Sequence, residues 1–253
     1  MVFDLRAAYR SLVPASLRTS YGYRYLRQGF QNLNLMREYG VDRIKYAREL
    51  HYWKARHAAE GGVLKNHWYE KIFLAMAEQP HAEFLSGKVV ADFGCGPRGS
   101  LLWAKAAKAR IGIDVLVDVY AELGIKAHDM VYVRSSEDQI PLPTGSVDVL
   151  LTLNALDHVD HLEAMCEELV RVMAPGGLFL GSFNLHEPRS FAEPQTLTTE
   201  LLDRVLLSKL ELDSYRLAPR GPAENVYLPM LGGASVPDGG EPGLLWVRGR
   251  KPA

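Results

Sequence analysis

Cysteine is nearly absent from this chain of 253 residues, which carries only Cys95 and Cys166. Two thiols cannot build a disulfide framework, and these two have no metal-type spacing. No apolar run approaches the roughly 20 residues that a membrane span needs. The N-terminus shows no apolar stretch leading to a small-residue cleavage site. A soluble, cytoplasmic chain is the expectation. Net charge is missing too: 29 Lys and Arg against 30 Asp and Glu leave −1, which offers no global field for nucleic acid. Disorder is not indicated either, because 47% hydrophobic and 23% charged residues can bury a real core. The length suits one large α/β domain, alone or with a helical attachment.

The neutral average hides one asymmetry. Before residue 50, basic side chains from Arg6 to Arg48 greatly outnumber the acids Asp4, Glu38, Asp42 and Glu49. Tyrosines alternate with these arginines over residues 1–40, which suits peripheral contact with an anionic membrane surface or a solvated extension. Helical spacing follows over 41–59, ending at Gly61-Gly62, and again over 64–79 before Pro80. From residue 88 the rhythm becomes strand and helix in alternation. The apolar runs 88–93, 110–114, 132–134, 146–153 and 178–183 read as strands. Residues 100–109, 117–123, 161–172 and 199–210 read as helices, the last capped by Thr198 or Thr199, and Pro175-Gly176-Gly177 closes the third of them. Candidate final strands are 212–217 and 244–248, separated by a Gly/Pro-rich loop. This pattern predicts a Rossmann-like, seven-stranded, mostly parallel sheet with an N-terminal helical cap. The expected division is 1–84 for the basic extension and cap, and 85–253 for the sheet domain.

Gly94-Cys95-Gly96-Pro97-Arg98-Gly99 satisfies G-x-G-x-x-G between a strand and an expected helix. Glycines let the backbone approach a ligand, and a helix N-terminus offers free N–H groups. Asp114, about 20 residues on, occupies the place of a ribose-binding carboxylate. Asp92, two residues before Gly94, would repel a pyrophosphate but suits the ammonium of S-adenosylmethionine. NAD binding would need Asp92 to face away.

The sequence resembles a known family at these residues. VVADFGCGPRG (89–99), RIGID (110–114), SSEDQIPLPTGSVDVLLTLNALDHV (135–159) and LVRVMAPGGLFLGSF (169–183) look like the ordered motifs of class I S-adenosylmethionine-dependent methyltransferases. The flavour is that of the methyltransferase type 11 group, which includes the ubiquinone and menaquinone biosynthetic enzymes. The resemblance implies S-adenosylmethionine as cofactor, with Asp92, Gly94 and Gly96 at its methionine end and Asp114 on its ribose. It further implies that Ser136 and Glu137 flank the adenine and that Asn154 lies near the methionine moiety. Ser136 departs from the family's usual Asp. Arg98 is unusual beside a cationic cofactor, and could pair with Asp92 or Asp114, neutralise the methionine carboxylate, or face solvent.

The acceptor side should lie beyond 146–153, where Leu156-Asp157-His158 stands. An imidazole at His158 could serve as a base toward a hydroxyl; otherwise it caps the strand or shapes the pocket. No histidine pair has convincing metal spacing, so no metal is expected. The aromatic and histidine cluster His51, Trp53, His57, His67, Trp68 and Tyr69 could form a lid or pack the cap. The N-terminal segment together with ARHAAEGGVLKNHWYEKIF (55–73) looks like methyltransferases of bacterial surface-polysaccharide synthesis, which implies a sugar or glycan hydroxyl as acceptor. Other readings are a small aromatic or quinone-like acceptor, in a pocket of Trp53, Trp68 and Phe183, or a catalytically inactive S-adenosylmethionine-binding partner subunit. Oligomeric state is not legible, and nucleic acid is not an expected partner.

Overall fold

The computed structural model describes residues 21–222 and 225–253. The expectations for the first 20 residues lie outside the described residues. Seven runs rich in Val, Ile, Leu and Phe pair into one sheet: β1 Val89–Phe93, β2 Ala109–Asp114, β3 Val131–Arg134, β4 Val147–Leu153, β5 Met173–Leu185, β6 Glu211–Pro219 and β7 Gly243–Arg250. Their order is β3-β2-β1-β4-β5-β7-β6. Pairs β1/β2, β1/β4, β2/β3 and β4/β5 are parallel, and β7 runs antiparallel to both β5 and β6. The expected seven-stranded, mostly parallel sheet is therefore what forms.

Apolar residues on both sides of the strands demand cover on both faces. On one face α5 (Leu162–Val172) and α6 (Thr199–Val205) bury Met165, Cys166, Leu169 and Leu202 with Leu150, Phe179 and Phe183. On the other, α3 (Tyr69–Ala77) sets Ile72, Phe73 and Met76 against Val90, Val149, Leu151 and Leu180. Neighbouring residues of β4 thus feed opposite cores, as the two-residue strand period requires. Thr198 caps α6 as expected, its hydroxyl accepting from Leu201 N–H at 3.1 Å. The remaining helices are α1 (Tyr21–Tyr39), α2 (Ile44–Ala59), the single turns α4 (Val117–Tyr120) and α7 (Leu228–Leu231), and brief 3₁₀ turns.

The helices expected over 64–79 and 199–210 are shorter, at Tyr69–Ala77 and Thr199–Val205, and two further expectations fail. Residues 100–109 form no helix: Leu102 N–H donates to Gly99 O, Ala104 N–H to Leu101 O and Ala107 N–H to Ala104 O, a chain of tight turns. Alanine content favours a helix there, but docking overrides it. Leu101 and Ala104 are buried in the core that α3 supplies, and Trp103 stacks on Phe73 with ring centroids 6.1 Å apart. Nor does Pro175-Gly176-Gly177 stand outside the strand. β5 begins at Met173, which pairs with Val147, and pairing resumes at Leu178 opposite Val149 after an irregularity. Gly177 has no room for a Cβ, which would lie 2.8 Å from Ala174 O.

Contacts divide the chain into 1–52 and 53–253. The first unit is held by Arg48 Nε donating to Asn32 Oδ1 at 3.0 Å and by Tyr39 and His51, 2.9 Å apart. The boundary expected at 84/85 falls inside the second unit, because α3 belongs to the sheet's core. Among the described residues no helix is long and apolar enough to cross a membrane.

Candidate cofactor and acceptor site

The strand order fixes where a ligand can sit. From β1 the chain moves outward through β2 and β3, then returns to β4 on β1's other side. Successive connections diverge between β1 and β4, leaving a crevice at their C-terminal ends. The glycine loop leaves β1 there, and Asn154 leaves β4.

Gly94 has φ +69, and a Cβ on it would lie 2.2 Å from the Cβ of Ala155. The loop after β1 can therefore press on the loop after β4 only with glycine here. Gly94 N–H donates to Ile113 O at 2.8 Å. Gly96 N–H donates to Asp114 Oδ2 at 3.0 Å, and Leu116 N–H to Asp114 Oδ1 at 2.9 Å. Asp114 thus ties the glycine loop to the end of β2.

Asp92 lies beneath the loop at 2% exposure. Ser100 Oγ donates to its Oδ2, while Oδ1 has no hydrogen-bond partner among the described residues. Burial, opposed by the Ser100 hydrogen bond and reinforced by the Asp114 charge, pushes its carboxyl up to about 7. An orphaned buried carboxylate oxygen fits a cationic group. It does not fit a pyrophosphate, and the missing helix after the loop removes the N-terminal dipole that would hold one. The residues present therefore suit the ammonium and ribose of S-adenosylmethionine.

Asn154 takes φ +49, an uncommon conformation for a residue with a side chain. Hydrogen bonds hold it there: its Nδ2 donates to Tyr227 Oη at 3.0 Å, Ser182 Oγ donates to its Oδ1 at 3.0 Å, and its own N–H donates to Ser182 O at 2.8 Å. Ser136 and Glu137 follow β3, where Ser135 N–H donates to Asp114 O at 3.2 Å. Ser136 is exposed and donates to Asp138 Oδ1 at 2.8 Å, so a carboxylate stands beside the position where the family's Asp is missing. Glu137 Oε2 accepts from Asp160 N–H at 3.4 Å.

Arg98 takes none of its three expected roles. At 5% exposure, it donates two hydrogen bonds to Glu60, at 2.8 and 2.6 Å, and one to Lys65 O at 2.6 Å. Its guanidinium carbon lies 5.3 Å from the Trp53 ring and 4.9 Å from that of Trp68, within cation–π range. The Arg98 hydrogen bond, with a smaller desolvation effect opposing it, holds Glu60 down at about 2. Trp53 also covers Gly96, whose Cβ would lie 3.0 Å from the indole. The segment from Trp53 to Trp68 is thus clasped onto the glycine loop. Phe183 is fully buried with Phe179 in the core under α5, so the expected aromatic pocket of Trp53, Trp68 and Phe183 does not assemble.

His158 ends the short turn Leu156–His158 that follows Asn154. Its side chain is 35% exposed, and Nε2 lies 3.9 Å from Asp157 Oδ1. Sequence reasoning missed Ser100, Glu60, Ser182, Asp138 and Tyr227 as partners of the site. Ser100 adjoins the loop and was legible in principle. Tyr227 and Glu60 come from loops whose pattern carries no such signal. A cavity of about 630 Å³, lined by Lys88, Asp148, Gly176, Arg248 and others, opens near the starts of β1 and β4. It is remote from these residues and has no part in the site.

Residues 91–181, from β1 through most of β5, match the methyltransferase domain family. An uncharacterized methyltransferase of Mycobacteroides abscessus is 32% identical over 123 residues, which cover 44% of this chain and 48% of that protein. The ubiquinone biosynthesis O-methyltransferase of Xanthomonas oryzae is 35% identical over 119 residues, 43% of this chain and 48% of that one. The chain spans about half the length of the curated relatives it matches. The crystal structure of an S-adenosylmethionine-dependent methyltransferase from Mesorhizobium loti superposes with a TM-score of 0.50 at 19% identity, covering 70% of this chain and 95% of that one. Glycine loop, strand order and family match converge: the chain carries the signature of a methyltransferase domain over residues 91–181, on the fold of S-adenosylmethionine-dependent methyltransferases.

Proposed function

We propose that this chain is an S-adenosylmethionine-dependent methyltransferase acting on a hydroxyl of a sugar or glycan intermediate. The observation that carries the cofactor reading is the buried, half-partnered Asp92 beneath a glycine loop that Asp114 holds in place. When bound, S-adenosylmethionine supplies a methyl group already activated by its sulfonium. Asp92 Oδ1 would take the ammonium, Asp114 the ribose hydroxyls, and the Ser136–Glu137–Asp138 edge the adenine. Asn154, locked by Ser182 and Tyr227, gives the floor between the two loops a fixed shape. The clasped segment 53–68 keeps water from the loop, which matters for a displacement that depends on positioning.

His158 is the residue we assign to the acceptor hydroxyl. It is partly exposed, stands four residues beyond Asn154 and is backed by Asp157. The polar character of this turn, together with the burial of Phe183, favours a hydroxyl-rich acceptor over a planar aromatic one. A quinone-like acceptor is the second reading, favoured by the similarity to the Xanthomonas oryzae O-methyltransferase. Residues 1–40 would hold the protein at an anionic membrane surface in the cytoplasm, and liposome pelleting of full-length and truncated protein tests that; equal pelleting in low salt would end it.

Calorimetric titration of S-adenosylmethionine, with NAD as control, into wild type and Asp114→Ala tests the cofactor. Micromolar binding lost in the variant is the expected result; no binding, or tighter NAD binding, refutes the reading. Methyl transfer from labelled cofactor to nucleotide sugars and to catechols then separates the two acceptors. An inert but cofactor-binding chain would instead be a partner subunit.

A further inference from the structure

Three ligand-type side chains meet beyond β4, from two segments that the sequence keeps far apart. One ligand atom each from Asp157, His158 and Glu193 lie within 4.8 Å of one another. Asp157 is 2% exposed, and its Oδ1, the oxygen facing His158 Nε2 at 3.9 Å, has no hydrogen-bond partner among the described residues. Its other oxygen accepts from Asn184 Nδ2 at 3.2 Å. A buried carboxylate oxygen left in this state is costly unless a cation completes it.

Glu193 is not on a passing loop. Its segment is pinned to the turn by Gln195, whose N–H donates to Asp157 O at 3.1 Å and whose Nε2 donates to Val159 O and Asp160 O at 2.9 and 3.2 Å. Within the segment Ser190 Oγ donates to Glu193 Oε2 at 3.0 Å and receives Glu193 N–H at 3.0 Å. These contacts orient the carboxylate as outer-sphere partners orient metal ligands.

We propose that Asp157, His158 and Glu193 bind one divalent transition cation of the Zn²⁺ or Mn²⁺ kind. One imidazole nitrogen and two carboxylates form a borderline donor set; Mg²⁺ and Ca²⁺ prefer all-oxygen shells. Bonds of roughly 2.0–2.2 Å put tetrahedral ligand atoms about 3.4 Å apart, so the 3.9 Å pair closes by about half an ångström through side-chain rotation. Three protein ligands leave a coordination position open, as in sites where a cation polarises a bound oxygen. The site stands on these three side chains whether or not S-adenosylmethionine binds. Its use, to hold and acidify the acceptor hydroxyl, rests on the function proposed above.

The test uses the full chain, stripped with EDTA and titrated with Zn²⁺ or Mn²⁺ by calorimetry, with Mg²⁺ as comparison. S-adenosylmethionine binding is measured separately on the stripped protein. One cation per chain is expected, binding more weakly by about 100-fold or more in Glu193→Gln and in His158→Ala. Both positions are partly exposed, so these variants keep the fold even if Asp157→Asn does not. A cation-dependent rise in Tm for wild type and not for Glu193→Gln is the second readout. No stoichiometric cation in wild type, or equal affinity in the variants, overturns the site. Cofactor affinity reports on the methyltransferase reading independently.

Discussion

If Asp92 holds the cofactor's ammonium as proposed, binding is pH-dependent in a direction that follows from its buried carboxyl. Its buried carboxyl is pushed up to about 7, mainly by burial, so near neutrality the free protein holds it partly protonated. An ammonium beside Oδ1 favours the ionised form, and binding then releases a proton. If the bound carboxyl titrates well below 5.5, Kd scales as 1 + 10^(7 − pH) and weakens by about 25-fold, or about 1.9 kcal/mol, from pH 7.5 to 5.5. The window stops at 7.5 because an α-amino group begins to lose its own proton at about 7.7–8.0. Calorimetry at four pH values, in buffers of differing ionisation enthalpy, reads both Kd and the proton released. Asp92→Asn should bind more weakly at pH 7.5 and show a nearly flat profile. The same shift has the opposite consequence for the free protein. Burying this group costs nothing below about pH 4, and the cost grows as pH rises to its full value above about 7. Asp92→Asn should therefore melt higher than wild type at pH 7.5, with the advantage fading toward pH 4. A wild-type Kd constant within twofold over the window, or a parallel slope in Asp92→Asn, would refute the reasoning.

Gly94→Ala should destabilise by more than about 2 kcal/mol in urea melts, because its Cβ meets Ala155 at a positive φ. Gly96→Ala should cost less, since the atom it meets belongs to a Trp53 ring that can shift; equal costs would contradict the packing described. Arg98→Ala should lose about 2–4 kcal/mol at pH 7 by leaving Glu60 unpaired. That difference should shrink as pH falls from about 4.5 toward 2, because Glu60 is held down at about 2 and its contribution disappears on protonation; a pH-independent difference would assign the effect to packing alone. Thr198→Ala should cost about 1 kcal/mol through the lost α6 cap and leave cofactor affinity unchanged, which makes it the control for the site variants.

The sequence by itself determined the sheet and the place of the glycine loop. Runs such as 146–153 bury both faces, and neither alternation nor length allows them to be anything but inner strands. Glycine at 94 and 96 and carboxylates at 92 and 114 are readable because the loop and the end of β2 are local, short-range features. The tertiary structure alone decided what surrounds them. Residues 100–109 have helical propensity, yet α3 fills the face a crossover helix would have covered, and the chain turns instead. Arg98 reads as an anomaly beside a cationic ligand until Glu60, 38 residues away, is seen to pair with it. Glu193 is separated from Asp157 and His158 by a helix and a strand, so no spacing rule could join it to them. Local conformation follows from neighbours in the chain; charge pairing and ligand sets follow from contacts that only packing creates.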